Sequence, residues 1–357
     1  MRLVRSFAGQ ALVFVAMLIS SFVALFCVLH AINAGTLSLS SWPLAQKSYH
    51  KSQGNKVADS AWDGVGFNDT KGLLWFVHIS DLHISKFRSP ERAIDLEKFC
   101  VFLNENVSPR VVVVTGDLTD GKTPEGIGSR QFKEEWETYR SVWKDHCQVK
   151  PDSKRPEDTL WLDIRGNHDT FNVHSDMDEN NFFRVYGAQG PSRRRSYQKS
   201  VVVDDMWNFD FVGIDTTLTP GPKRPFNFFG SLTEHQFSEV DQILSASKNS
   251  SGLVTFGHYP LSTVISPNPG IKSLVGRSGA DAYLSGHLHD LVFGLGRDLY
   301  AKQSEGYLDI ELGDWKDNRH FRLMAFDHGH LSFIDLIYEK EEPPTQAVLI
   351  TNPLDAR

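Results

Sequence analysis

The sequence predicts an α/β domain in which parallel strands end in polar motifs, and three observations support that fold class. Near-continuous apolar runs of strand length occur at Leu73–Ser80, Val111–Val114 and Leu160–Ile164, as expected for strands covered on both faces. The intervening segments 90–104 and 131–143 have the apolar spacing of helices. Each run leads into a short motif containing Gly, Asp, Asn or His, and open α/β sheets bind ligands at the carboxyl ends of their strands.

The second half of the chain continues this alternation. Tyr197–Val203 and Trp207–Asp215 are predicted to form a hairpin, and Thr233–Ala246 is predicted to form a helix. Gly252–Phe256 and Asp281–Ser285 are apolar runs that each lead into a Gly-His motif. Alternating polar and apolar residues between 307 and 338 predict two antiparallel strands that close a second sheet.

Three further segments have less specific patterns. The basic run Arg193–Arg195 is interpreted as a solvated loop, with contact to an anionic headgroup as the alternative. The Pro- and Phe-rich segment Pro220–Gly230 is interpreted as a packed lid rather than a cofactor-binding loop. Asp215–Thr217 ends a predicted strand and could line a site, although structural capping is the simpler interpretation.

Length and charge limit the possible functions. The chain has 357 residues, of which 40% are hydrophobic, so it can bury one large core or two smaller ones. Its formal net charge of -7 argues against a nucleic-acid partner, which would favour a basic face.

The amino-terminal residues 11–32 are almost continuously apolar, which is about the roughly 20 residues that a membrane-spanning helix needs. Arg2 and Arg5 precede this segment, and positive flanks stay cytoplasmic, so the rest of the chain is expected in a lumen or outside the cell. A cleaved signal peptide is the alternative, because residues 31–35 are mostly small. The predicted organisation is an anchor or signal peptide at 1–35, a flexible linker at 36–71, a globular domain at 72–340 and a tail at 341–357.

Two other signals agree with the secretory pathway. Asn68 and Asn249 begin glycosylation sequons, and Asn106 begins a weaker third one, so the chain is predicted to be a glycoprotein. Cys100 and Cys147 are the two cysteines outside the apolar segment, and they could form a disulfide or remain buried thiols.

Five predicted strand ends carry side chains that can bind metals. Taken singly, these motifs have simpler explanations, since Gly-Asn favours a turn and His78 lies within a predicted core strand. The amide of Asn167 can be a neutral metal ligand, whereas His168 is better placed to act on a substrate. Asp169 can hold the ring of His168 in one tautomer. The candidate residues in chain order are Asp81, His83, Asp117, Asn167, His168, Asp169, His258, His287 and His289.

The number of candidate ligands exceeds what one tetrahedral zinc requires and suits two divalent ions about 3.5–4 Å apart that share a carboxylate. Mixed oxygen and nitrogen donors favour manganese, iron or zinc over calcium or magnesium. Two such ions can bind a phosphate ester and provide a metal-bound hydroxide that attacks phosphorus. His168 would donate a proton to the leaving oxygen as general acid, or stabilise charge on the phosphoryl group.

The motifs Asp-x-His, Gly-Asp, Gly-Asn-His-Asp, Gly-His and Gly-His-x-His occur in that order, and together they resemble the calcineurin-like metallophosphoesterases. The resemblance covers roughly residues 75–289 and implies a four-layer α/β/β/α sandwich with two central β-sheets. It also implies that His168 and Asp169 are the family's catalytic pair. By the same resemblance, Asp81, His83 and His289 hold the first metal, Asn167, His258 and His287 hold the second, and Asp117 bridges the two.

Within that family, residues 79–85, 116–122 and 311–315 are similar to the subgroup named for transmembrane protein 62 and its plant counterparts. Vertebrate members of the subgroup continue into a further domain and several carboxyl-terminal membrane helices. This chain has no second apolar span, which departs from that pattern. We expect either a shortened form or a tail at 341–357 that is the start of a missing carboxyl-terminal domain.

The sequence therefore predicts a membrane-anchored dinuclear phosphoesterase that hydrolyses a phosphomonoester or phosphodiester. The resemblance favours a diester in a lipid- or glycan-linked substrate, since membrane-bound family members often act on such phosphates. A protein phosphatase is less favoured, because the motifs have no basic run near them to form a phosphopeptide groove. The alternative from another class is a non-catalytic metal-binding scaffold or receptor of the same fold, which would have no need to keep His168.

Overall fold

The computed structural model describes residues 71–148, 159–289, 300–302, 306–338 and 348–351. These ranges form two six-stranded β-sheets and one two-stranded sheet. The predicted anchor, nearly all of the predicted linker and most of the predicted tail lie outside the described residues. Within the described ranges, none of the helices has both the length and the apolar character needed to span a bilayer.

The first sheet has its parallel strands on one side and antiparallel strands on the other. It contains β1 (Leu73–Ile79), β2 (Val111–Val114), β3 (Leu160–Asp163), β12 (His320–Asp327), β13 (His330–Ile337) and β14 (Val348–Thr351). Their order is β14-β13-β12-β1-β2-β3, and β1, β2 and β3 are parallel. The predicted carboxyl-terminal hairpin is β12 and β13, but the prediction that it closes a second sheet is wrong. Instead β12 pairs with β1, because apolar residues such as Leu74 and Phe326 face the same core at opposed positions.

The second sheet is also mixed. It contains β4 (Tyr197–Val203), β5 (Trp207–Gly213), β7 (Gly252–Phe256), β9 (Ala282–Ser285), β10 (Tyr300–Lys302) and β11 (Leu308–Glu311). Their order is β10-β11-β9-β7-β5-β4, with β5, β7, β9 and β11 parallel. The predicted hairpin of β4 and β5 is present. The small third sheet pairs β6 (Gly230–Ser231) with β8 (Val264–Ile265).

Six α-helices connect these strands within the described ranges. They are α1 (Glu91–Phe102), α2 (Lys133–Ser141), α3 (Phe183–Tyr186), α4 (Glu234–Ala246), α5 (Ile271–Arg277) and α6 (Trp315–Asn318). Helix α4 begins with a capping box, in which the backbone N–H of Gln236 donates to the hydroxyl of Thr233 and the Gln236 side chain returns to the Thr233 backbone. Thr233 is therefore the N-cap of the helix, in agreement with the start predicted from the sequence.

Three apolar clusters order the elements into layers. One cluster fills the space between the two sheets, where the rings of Phe76 and Phe211 meet with their centroids 5.2 Å apart. A second cluster joins the first sheet to α1 and α2 through Phe99 and Trp136. A third joins the second sheet to α4 and α5 through side chains such as Val240. Helices therefore cover the outer face of each sheet, and the strand ends of both sheets are left free to form a site.

The outer helical layer contains a disulfide. Cys100 in α1 is bonded to Cys147, which follows α2, across a sequence separation of 47. The sequence left a disulfide and free thiols open, and the structure has the disulfide. A cross-link of this kind limits the conformational freedom of the unfolded chain.

Candidate dinuclear metal site

The candidate ligands follow the carboxyl ends of five parallel strands, three in the first sheet and two in the second. Since the two sheets face each other, loops at these ends meet at a common edge. The structure brings together all seven side chains that the sequence singled out as metal ligands. They are Asp81 and His83 after β1, Asp117 after β2, Asn167 after β3, His258 after β7, and His287 and His289 after β9.

A first group of side chains consists of Asp81, His83, Asp117 and His289, whose ligand atoms all lie within 4.8 Å of one another. The Nε2 of His83 is 3.4 Å from Oδ2 of Asp117 and 3.7 Å from Oδ1 of Asp81. The Nε2 of His289 is 2.7 Å from the same Asp81 oxygen. Two carboxylates and two imidazoles thus face one point.

A second group lies on the other side of Asp117. The Oδ1 of Asn167 is 2.8 Å from Nε2 of His258 and 3.0 Å from Nδ1 of His287, and those two nitrogens are 3.1 Å apart. The Oδ1 of Asp117 is 3.4 Å from Nε2 of His258. Since its other oxygen faces His83, Asp117 lies between the two groups.

Backbone carbonyls fix the tautomers of the second group. The Nδ1 of His258 is 2.8 Å from the carbonyl oxygen of Thr115, and the Nε2 of His287 is 2.9 Å from that of Phe228. A carbonyl can only accept, so these two nitrogens carry the hydrogens. The opposite nitrogens therefore present lone pairs to the amide oxygen of Asn167. Three lone pairs that converge without a hydrogen between them are the arrangement of a cation site.

The backbone is strained at the same positions. Asp81, His83, Asp117, His287 and His289 have φ values of 56°, 45°, 50°, 81° and 53°, in the left-handed region that side-chain-bearing residues seldom adopt. Each such residue costs on the order of 1–3 kcal/mol unless its surroundings compensate. Strain concentrated on five potential ligands indicates a functional constraint on where those side chains point.

Two glycines explain why glycine precedes the ligands in these motifs. A Cβ on Gly166 would overlap the carboxylate and backbone nitrogen of Asp117. A Cβ on Gly286 would overlap the hydroxyl of Ser80 and the carboxylate of Asp81. Glycine therefore lets the carboxylate of one strand end reach the backbone of the next.

The electrostatics of the site favour bound cations. Burial lowers the pKa of His258 to about 4 and that of His287 to about 3, so both imidazoles are neutral, which is the form that binds metals. Burial, and then the charges of Asp81 and Asp169, raise the pKa of Asp117 well above its usual range. Crowded buried carboxylates beside neutral imidazoles are a donor set that fits divalent ions with mixed oxygen and nitrogen coordination.

His168 lies at the edge of this arrangement. Its Nδ1 is 2.5 Å from the backbone oxygen of Asp120, so Nε2 is the nitrogen that faces the site, 3.7 Å from Oδ2 of Asp117. The side chain of Asp120 approaches Nδ1 of His83 at 3.4 Å. The sequence analysis did not assign this role to Asp120. Its position three residues after Asp117, on the same loop, could have indicated that its carboxylate lies near the site.

Residues 74–291 match the calcineurin-like phosphoesterase family. The chain belongs to this family. Its two mixed sheets and its buried cluster of aspartates and histidines are therefore those of a metallophosphoesterase fold.

Three relatives are similar to this chain over much of its length. Transmembrane protein 62 of Mus musculus is 42% identical over 286 residues, which cover 80% of this chain and 42% of that protein. A protein of Arabidopsis thaliana named as a metallophosphoesterase is 33% identical over 326 residues, covering 80% of this chain and 43% of that protein. The chain thus spans less than half the length of either relative. Human tartrate-resistant acid phosphatase type 5 is 25% identical over 222 residues, with 58% of this chain and 62% of that protein covered.

Among solved structures, one similar chain is GAP50, described as the anchor in the inner membrane complex of Plasmodium. The match covers 79% of this chain and 90% of GAP50, with 11% identity and a TM-score of 0.47.

The predicted role of Asp169 in the candidate metal site needs correction. Its carboxylate accepts hydrogen bonds from the backbone N–H groups of Leu118, Thr119 and Gly166, at 3.1, 3.0 and 2.8 Å. The hydroxyl of Thr119 donates to it as well. The prediction that Asp169 orients the ring of His168 is wrong. Both carboxylate oxygens of Asp169 accept hydrogen bonds from these other donors, and the backbone carbonyl of Asp120 accepts from Nδ1 of His168 instead. Asp169 ties the loop after β2 to the loop after β3.

The loop at 220–230 packs on the candidate metal site, as a lid would. Asn227 donates from Nδ2 to the backbone oxygen of Asn167 at 2.8 Å, and the carbonyl of Phe228 is the partner of His287. By contrast, Asp215 takes no part in either ligand group and instead pairs with Arg165. A structural role for Asp215 therefore fits better than a role in lining the site.

Proposed function

We propose that this chain is a dinuclear metal-dependent hydrolase of phosphoric esters. The observation that carries the proposal is the convergence of three lone pairs, from Asn167, His258 and His287, beside a second group that shares Asp117. Manganese, iron or zinc bound there would supply Lewis-acid activation of water and of the phosphate oxygens. In this assignment Asp81, His83 and His289 hold one ion, Asn167, His258 and His287 hold the other, and Asp117 contacts both.

His168 is proposed as the proton donor to the leaving oxygen, in its doubly protonated form, which carries a second proton on Nε2 and keeps the one on Nδ1 after the transfer. The carbonyl of Asp120 keeps the Nδ1 proton in place, so the Nε2 edge of the ring remains directed toward Asp117 and the substrate position. The backbone N–H of His168 donates to Oδ1 of Asp117 at 2.8 Å, which couples the position of this ring to the shared carboxylate. Asp169 acts as a positioning residue in this scheme, because it holds the two loops that carry Asp117 and His168.

The substrate is proposed to be a phosphodiester in a lipid- or glycan-linked molecule, with a phosphomonoester as the alternative. Support for a substrate at a membrane comes from the apolar segment 11–32 and from the relative named Transmembrane protein 62. Support for a compartment outside the cytosol comes from the disulfide, since disulfides persist in oxidising compartments. The sequon residue Asn249 is exposed, so it is accessible to glycosylation. We therefore place the domain on the lumenal or outer side of a membrane, anchored through residues 11–32.

Hydrolysis of bis(p-nitrophenyl) phosphate and of p-nitrophenyl phosphate by the purified chain tests the activity. We expect manganese-dependent turnover that is higher on the diester and that is lost in Asn167→Ala together with about one bound ion. His168→Ala should lose turnover by a factor of roughly 10²–10⁴ while keeping its metal content. If wild-type protein with two bound ions hydrolyses neither ester, the alternative of a non-catalytic scaffold or receptor is favoured.

The proposed anchor has a separate test. Alkaline carbonate extraction of membranes that contain the chain should leave it in the pellet, and deletion of residues 1–35 should release it. Release of the intact chain would contradict anchoring without affecting the proposed chemistry.

A further inference from the structure

A surface cavity near the end of β3 is lined by five arginines, Arg165, Arg184, Arg193, Arg194 and Arg195. None of the candidate metal ligands lines this cavity, so it is distinct from the phosphoesterase site. The whole chain has a formal net charge of -7. A cluster of guanidinium groups in an acidic chain indicates a local affinity for anions.

Two of these arginines are held in place by carboxylates. Arg165 contacts Asp215 at 2.6 Å and Asp176 at 3.2 Å, and Arg195 contacts Asp215 at 3.3 Å and the hydroxyl of Thr219 at 2.7 Å. Arg165 uses Nε and Nη2 for these bonds, and its Nη1 has no hydrogen-bond partner within the described part of the chain. A buried guanidinium with a fixed plane and a free N–H edge is prepared to bind an oxyanion.

The other three arginines add charge without compensation. Arg193 and Arg194 are exposed and Arg184 is half-buried, and among the described residues no carboxylate lies within ion-pair distance of these three guanidiniums. Five guanidiniums against the carboxylates of Asp176 and Asp215 leave three positive charges uncompensated. An anion with two or more charges would relieve the repulsion among them more than a single charge could.

An aromatic side chain forms part of the cavity wall. The ring of Phe183 lines the cavity, and its centroid lies 5.9 Å from the Cζ of Arg165. N–H donors arranged around a small cavity suit a tetrahedral oxyanion, which offers acceptor oxygens in several directions.

From these features we infer that the cavity binds a phosphate group, carried as a monoester by a lipid headgroup or present as free inorganic phosphate. The shared chemistry is a tetrahedral group with about -1.5 to -2 charges and three acceptor oxygens. Arg165 contacts the oxyanion through its free edge, while Arg184, Arg193 and Arg194 supply the remaining charge. Binding at this cavity requires neither the metal ligands nor hydrolysis, so it stands independently of the proposed function.

Isothermal titration of the full chain in detergent micelles, with EDTA present, tests the inference. The probes are glycerophosphoinositol 4-phosphate, which carries a lipid headgroup without acyl chains, and inorganic phosphate. We expect one probe molecule per chain, and the tighter of the two identifies the source of the phosphate. The double variant R193E/R194E should weaken binding at least tenfold, and R193Q/R194Q should weaken it less.

Two control variants separate this site from general charge and from the metal site. K98E/K248E makes the same change in net charge at two exposed lysines outside the cavity, and it should leave binding unchanged. Asn167→Ala should also leave it unchanged. The inference is overturned if neither probe saturates, if K98E/K248E weakens binding as much as R193E/R194E, or if Asn167→Ala abolishes it.

Discussion

The Nη2 of Arg165 lies 2.6 Å from Oδ2 of Asp215, and this buried ion pair joins the end of β3 in the first sheet to the end of β5 in the second. The two side chains are only 4% and 2% exposed. Burial acts to raise the pKa of Asp215, but Arg165 and Arg195 hold it at about 2, so the carboxylate is ionised at neutral pH. The pair therefore links the two sheets beside the site.

Arg165→Ala should lower the free energy of unfolding by about 3–5 kcal/mol, because it leaves the charge of Asp215 buried without its main partner. Urea denaturation followed by tryptophan fluorescence measures this loss. A matched control is Arg277→Ala, which removes an exposed pair with Asp241 at 3.1 Å and should cost about 0.5 kcal/mol. Equal losses in the two variants would contradict a structural role for the buried pair.

Asp120→Ala should weaken metal binding by about 10–100-fold, the usual effect of removing a carboxylate behind a histidine ligand. The physical reason is the 3.4 Å approach of Oδ1 of Asp120 to Nδ1 of His83, which orients the ring. Competition with a chromogenic chelator measures the affinity, and Asp241→Ala serves as a control at an exposed carboxylate. Because His168 is held by the backbone of Asp120 and not by its side chain, excess metal should restore most of the turnover. Unchanged affinity would show that Asp120 does not position His83.

Gly166→Ala should abolish binding of both ions, because the new methyl group would displace the carboxylate of Asp117 that faces both groups. Elemental analysis of the purified variant measures the loss. Gly128→Ala is the control, since there a Cβ would meet only the side chain of Thr123, which can move. Two ions retained in Gly166→Ala would exclude Asp117 as the shared ligand.

Asp163 should make stability depend on pH. Its carboxylate accepts hydrogen bonds from the hydroxyl of Tyr139 and the backbone N–H groups of Ala188 and Gln189, at 2.7, 2.7 and 2.9 Å. Burial nevertheless raises its pKa to about 6, above the value of about 3.9 in an unfolded chain. The native state then holds a proton that the unfolded state has lost between these values, so this stabilisation is complete below about pH 4 and is lost as the pH rises to about 6.

The measurement is the free energy of unfolding of wild type minus that of Asp163→Ala, taken by urea denaturation at several pH values. This difference should fall by about 3 kcal/mol between pH 4 and pH 7, because two pKa units correspond to that energy. Taking the difference between the two proteins cancels the pH dependence that comes from the other titratable groups, which both proteins contain. A difference that stays constant over this range would show that Asp163 keeps an ordinary pKa.

Much of the fold followed from local pattern. The four valines of β2 can only be a buried strand, and the alternation in β4 and β5 predicted their hairpin. The seven potential metal ligands were predicted because each stands directly after an apolar strand, where the chain must leave the sheet. Pairing between distant strands was harder, since the pattern of β12 is equally compatible with either sheet and only its contact with β1 decides the question.

The parts of the site that sequence did not predict are mainly backbone contacts. The carbonyls of Thr115, Phe228 and Asp120 set the ring orientations of three histidines, and every residue has a carbonyl, so no pattern of side chains reveals which ones are used. Asp169 was misassigned for the same reason. His168 is next to Asp169 in sequence, but two of the three backbone donors to the Asp169 carboxylate, Leu118 and Thr119, lie on another strand end.

The contact between Asp81 and His289 joins positions 208 residues apart, and the two groups of ligands draw on both sheets. Ions held there would form a reversible cross-link between the first strand of one sheet and a late strand of the other. No emerging segment of the chain carries a complete set of ligands, so metal could be captured only after the second sheet has docked on the first. Metal content would then report how completely the two sheets have assembled.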